Sequence, residues 1–111
     1  MQLIYNNKTY KVVYCNTFFT RLKGLMFYRK LRDNEFFLFK LDKEYKLRAS
    51  IHMLFVFFPI KVVWLNSKYE IVDVKKAYPF TSFIMPNKKA QYILESNLNN
   101  NFKIGDKVTI H

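Results

Sequence analysis

Glycine is nearly missing from this chain: Gly24 and Gly105 are the only two in 111 residues. That shortage excludes a glycine-rich phosphate loop, a dinucleotide fingerprint and a Gly-x-Ser-x-Gly elbow, because each needs several positions where the backbone turns sharply or passes close to a ligand. Cysteine is scarcer still. Cys15 has no partner for an intrachain bridge, which fits the expectation of a reducing cytoplasm. One cysteine, an internal His52 and a terminal His111 do not supply the close spacing of a zinc centre, so no metal and no cofactor are expected. Long hydrophobic runs are also lacking. The longest, residues 53–60, contains Pro59 and falls well short of the roughly 18 to 20 residues that a membrane-spanning helix needs. The first residues, Met1-Gln2-Leu3-Ile4-Tyr5-Asn6-Asn7, show no basic region followed by an apolar stretch and cleavage site, so no secretory signal is read there.

Acidic residues are few. Eight Asp and Glu against nineteen Lys and Arg leave a formal charge of +11, enough to attract polyanions over a Debye length of about 8 to 10 Å. Fifteen of the nineteen are lysine, and Asn, Ile, Phe and Tyr are abundant beside only three alanines. A strongly AT-rich coding sequence produces the same pattern, so the charge has a compositional reading beside the functional one. What the chain does hold in quantity is apolar: 50% of residues are hydrophobic and 19% aromatic, ample for one core without a staple. A single domain over residues 1–111 is expected.

Leu3-Ile4-Tyr5 and residues 9–14 are rich in β-branched and aromatic residues and flank Asn6-Asn7-Lys8, where asparagine tolerates the positive φ of a tight hairpin. Thr17 can cap one short helix over residues 17–23, with Phe18, Phe19 and Leu22 on one face and Gly24 ending it. Residues 32–35 read as a turn into a strand over 36–41, and residues 42–48 as a charged surface connection. Pro59 cannot donate a ladder hydrogen bond, so it separates the apolar run from a strand over 60–65. Residues 66–68 turn the chain into a strand over 69–75, and strands over 91–95 and 107–110 end it. Between them, residues 78–86 form an irregular, ring-studded loop limited by Pro79 and Pro86. The fold class expected is mainly β: a compact, mostly antiparallel β-sandwich or barrel-like domain with one short helix near residues 17–23.

Three segments together, Arg21-Leu22-Lys23-Gly24-Leu25-Met26, residues 51–66 and Gly105-Asp106-Lys107-Val108, make roughly residues 18–110 resemble the domain of unknown function 192 family, also called uncharacterised protein family 127. The resemblance implies the compact β fold and no activity. Arg21, Glu95 and Asp106 stand at positions that match the family pattern, so Arg21 paired with either acid holds the fold together, or its guanidinium receives a carboxylate or phosphate ligand. Lys61 and Asn66 stand where relatives commonly have acids, and asparagines at 97–101 replace a common glycine, a change that left-handed asparagine can absorb. Many relatives carry an export signal, which is not read at this N-terminus.

Three functional readings follow. The first is a non-enzymatic module that binds a small ligand or a protein partner, with Arg21, His52, Tyr78, Phe80, Glu95 and Asp106 as candidate ligand-binding residues. For His52 the bland alternative is a hydrogen-bonded structural histidine, and for Cys15 an inert core thiol. The second is sequence-nonspecific binding of RNA or single-stranded DNA, with Lys75, Lys76, Lys88 and Lys89 meeting phosphates while Tyr78, Phe80 and Tyr92 stack bases. There the bland alternative is a solvated lysine rim over core rings. The third is a small hydrolase or lyase, which requires titratable groups such as Glu95, Asp106 and His52 to converge in a cleft.

Overall fold

The structure is a computed structural model that describes residues 1–15, 34–51, 58–79 and 84–111. The helix expected near residues 17–23 lies outside the described residues. Everything regular among them is strand: β1 (Gln2–Tyr5), β2 (Lys8–Cys15), β3 (Glu35–Tyr45), β4 (Ile60–Leu65), β5 (Ile71–Ala77), β6 (Ala90–Ser96) and β7 (Thr109–Ile110). They form one seven-stranded sheet in the order β5-β4-β6-β3-β2-β1-β7, curled into a half-barrel. The radius of gyration, 12.6 Å, is close to the value of about 13 Å expected for a compact domain of this length.

All pairings are antiparallel except β2 with β3, which run parallel from Lys11 opposite Glu35 to Cys15 opposite Phe39. Strand β4 is buried along its whole length, as its near-continuous apolar sequence demands of a central strand. Strand β3 runs further than its sequence suggests. Residues 42–45, expected as a surface connection, continue the strand past a register irregularity to pair Tyr45 with Ala90. Their wet side chains suit a sheet margin that faces water.

Each face of the sheet carries its own core. Inside the curl, Leu3, Tyr5, Tyr10, Val12, Phe36, Leu38, Val63, Leu65, Ile71, Tyr92, Leu94 and Val108 come together. On the other face Phe37, Ile60, Val62, Trp64, Ala77 and Ile93 pack with Ala49 and Ile51 from the connecting segments. Trp64, fully buried, donates from Nε1 to the carbonyl of Ala49 at 2.7 Å and so draws the segment after β3 onto that face.

The glycine shortage is met by other residues at the turns. Asn6 (φ 49°) and Asn7 (φ 64°) make the expected hairpin. Tyr69 (φ 63°) also sits in the left-handed region, a conformation that costs a side-chain-bearing residue roughly 1 to 2 kcal/mol. The Asn66 side chain offsets that cost by accepting from the amides of Lys68 and Glu70 at 2.9 and 3.0 Å. Gly105 takes φ 97°. None of the asparagines at 97, 99, 100 and 101 has positive φ, so they do not replace the family's glycine by imitating its backbone.

The half-barrel is drawn together by the chain between Gly105 and Val108. Its backbone bonds to the start of β5, through Gly105 N–H to Ile71 C=O, Ile71 N–H to Asp106 C=O and Val108 N–H to Tyr69 C=O, before continuing as β7 beside β1. One short segment therefore ties the two ends of the sheet.

Candidate functional site

Of the expected ligand-binding residues, Tyr78, Glu95 and Asp106 fall among the described residues. Arg21, His52 and Phe80 lie outside the described residues. Tyr78 follows β5 and is 55% exposed. Glu95 is 2% exposed, opposite Phe37 and Val62 in the ladder, and so belongs to the outer face of the sheet. Asp106 instead accepts a 2.5 Å hydrogen bond from the Tyr5 hydroxyl, and Tyr5 belongs to the core inside the curl. The two acids are thus on opposite sides of the sheet and cannot act as an acid–base pair.

The lysines expected to meet phosphates also part company. Lys75 donates to the carbonyl of Met85 at 2.7 Å and to Asn87 Oδ1 at 3.3 Å, with Asp73 at 3.6 Å, so its ammonium ties β5 to residues 85–87. Lys76, Lys88 and Lys89 are exposed. Tyr92 meets two other side chains. Its ring lies 4.8 Å from that of Tyr69, and Lys40 sits 6.0 Å from its centroid.

A polar cleft opens where β1 turns into β2. Two adjoining lobes of about 190 and 390 Å³ share Lys8, Tyr10, Asn99 and Asn100 as walls. Tyr5, Asn6 and Asn101 complete the smaller lobe, and Thr9 and Asn34 the larger. The hairpin places Lys8 at the rim because tight turns leave their flanking side chains in water. Tyr5 and Tyr10 are fixed from behind by rings: Tyr5 stacks on Phe102 at 4.7 Å, and Tyr10 meets Phe36 edge to face at 5.0 Å. The Tyr5 hydroxyl, which also accepts from the amide of Lys103 at 3.1 Å, has its pKa raised, chiefly by burial and then by its bond to Asp106.

Behind the asparagine wall lies a feature that the sequence does not advertise. Lys61, 6% exposed, donates to the carbonyl of Asn100 and, at 3.1 Å, to Asn101 Oδ1. Burial, and then the charge of Lys76 opposite it on β5, pull its pKa below the ordinary lysine value. Its burial results from the sheet order, which sets β4 between β5 and β6, and no local pattern reveals it. Lys8, Tyr10 and Asn34 carry no linear signal either, since nothing in the sequence brings the hairpin to residues 97–101. Glu35, also buried at 6% exposure, leaves Oε1 without a hydrogen-bond partner among the described residues.

Among the described residues no group of three or more His, Cys, Asp and Glu is arranged to hold a metal ion, and no helix is long and apolar enough to cross a membrane. The family profile DUF192, described as "Uncharacterized ACR, COG1430", matches residues 1–110. A UPF0127 protein of Thermococcus sibiricus is 38% identical over 104 residues, which cover 90% of this chain and 66% of the relative. A second UPF0127 protein, from Thermococcus kodakarensis, is 40% identical over 85 residues, 77% of this chain and 52% of the relative. The chain therefore spans between about half and two thirds of the length of these relatives. Among solved structures, a protein of unknown function from Novosphingobium aromaticivorans shares the fold, with a TM-score of 0.81 at 20% identity over 98% of this chain and 82% of that one.

Proposed function

This chain belongs to the DUF192 family of uncharacterised proteins, and on that footing we propose that it is a non-enzymatic module that binds a small polar ligand in the cleft between its first hairpin and residues 97–101. The observation that carries the reading is the cleft itself: its polar walls are backed by packed rings and by the Lys61 bonds, so they are organised before a ligand arrives. The separation of Glu95 from Asp106 supports a binding role over hydrolysis by that pair.

The test is thermal unfolding in the presence of hexoses, hexose phosphates, nucleoside monophosphates and amino acids, with Thr9→Trp as a variant that fills the larger lobe from an exposed strand position. A ligand at a hundred times its Kd stabilises by about 2.7 kcal/mol, worth roughly 10 to 20 °C in a domain of this size. A class that stabilises the wild type and not folded Thr9→Trp supports the cleft. Equal stabilisation of both, or none by any class, sinks it.

A second reading, sequence-nonspecific RNA or single-stranded DNA binding, draws on exposed Lys76, Lys88 and Lys89 together with exposed Tyr78. Fluorescence anisotropy with labelled single-stranded RNA at about 50 and 200 mM salt decides it, because several phosphate contacts lose orders of magnitude in affinity over that range. Negligible binding at the lower salt removes this reading.

A further inference from the structure

We propose that the ligand of the hairpin cleft carries a phosphate monoester, an inference that rests on the cleft being the binding site. The walls of both lobes contain one cation, Lys8, and no carboxylate; every other described residue on them is an asparagine, a tyrosine or a threonine. A second cation stands just behind. Lys61 has no carboxylate partner among the described residues, and its charge is met only by the Asn100 carbonyl and Asn101 Oδ1, two oxygens of the cleft's own wall, while Lys76 opposes it. A buried ammonium so placed is under-compensated, and an anion on the far side of that wall is the group that relieves it.

The same geometry selects among anions. The Lys61 ammonium polarises the Asn100–Asn101 peptide by bonding its carbonyl, which strengthens the N–H at the other end of that peptide as a donor. Lysine binds phosphate as a point charge, and a phosphate offers several acceptor oxygens to surrounding amide and hydroxyl donors where a carboxylate offers two. Two lobes of unequal size suit a group with a distinct body and head, so a phosphorylated small molecule fits the cleft better than a bare ion. Asp106, whose carboxylate accepts from the Tyr5 hydroxyl of the wall, lines neither lobe.

The experiment is a nitrogen-15 amide titration of the full chain with glucose 6-phosphate, glucose and inorganic phosphate at about 150 mM salt, where exposed charges are screened beyond about 8 Å. Saturable shifts are expected at residues 6, 8–10, 34 and 99–101 with glucose 6-phosphate. Lys8→Gln is expected to weaken that binding about tenfold or more, the worth of one charge-assisted hydrogen bond, while Lys88→Gln leaves it unchanged. Glucose binding in the cleft as tightly as its phosphate overturns the inference and leaves the cleft reading standing. Shifts scattered over Lys43, Lys46, Lys88 and Lys89, or no saturable shift from either phosphorylated probe, also overturn it, and the thermal panel with Thr9→Trp then decides the cleft on its own.

Discussion

At Tyr92 the side-chain hydrogen bond with Tyr69 and, after it, withdrawal from water push the pKa up to about 12. The unfolded chain ionises its tyrosines near about 10. Between these values the unfolded state has given up a proton that the folded state retains, so stability falls as pH rises through the window. Tyr5 is raised in the same direction, first by burial. Lys61 acts with the opposite sign: its lowered folded pKa makes stability rise as pH climbs from that value toward the ordinary 10.5. Tyr92→Phe is therefore expected to lose less stability than the wild type between pH 10 and 12, as read by urea unfolding at several pH values. An identical loss in both proteins removes Tyr92 from the account. The sequence placed Tyr92 beside Lys88 and Lys89, whereas strand register sets it between Tyr69 and Lys40. Side-chain neighbours on a sheet come from adjacent strands, which a linear reading does not see.

Most elements were legible and their joints were not. The hairpin at Asn6-Asn7, the strand after Pro59 and the turn at Asn66 follow from turn chemistry and β-branched runs, and each is present. The parallel partnership of β2 and β3 and the extension of β3 to Tyr45 depend on which strand lies alongside, so they escaped. So did the anchoring of the loop after β5. Asp73, 3% exposed, accepts from the Asn87 amide through Oδ2 at 2.8 Å and from the Val74 amide through Oδ1 at 2.9 Å. Asp73→Ala strips these bonds and the ion pair with Lys75, and is expected to cost about 1 to 3 kcal/mol. Hydrogen exchange supplies the local check: the Asn87 amide loses protection while the β4 amides keep theirs. Unaltered protection at Asn87 means that the loop is held by other contacts.

Across the whole molecule, the margin of β5 is occupied at Ile71 by the backbone of residues 105–106, and further along the strand exposed Lys76 is a charge that discourages another chain from pairing there. The opposite margin depends on β7, only two residues long, and on Val108, which is 2% exposed. Removing residues 108–111 takes away the pairing of Leu3 with Ile110 and a buried valine worth about 1.5 to 3 kcal/mol, a large share of the roughly 5 to 15 kcal/mol that holds a domain folded. The truncated chain is expected to unfold at lower urea and to bind a hydrophobic dye; an unchanged midpoint means that the seam contributes nothing. This seam joins the beginning of the chain to its end, since Gln2 and His111 exchange both backbone hydrogen bonds. During synthesis, then, β1 is made well before the β7 strand that pairs with it. Until β7 has been made, the nascent protein carries an unzipped strand margin open to neighbouring chains, and the synthesis of that two-residue strand is the step that allows the sheet to be completed.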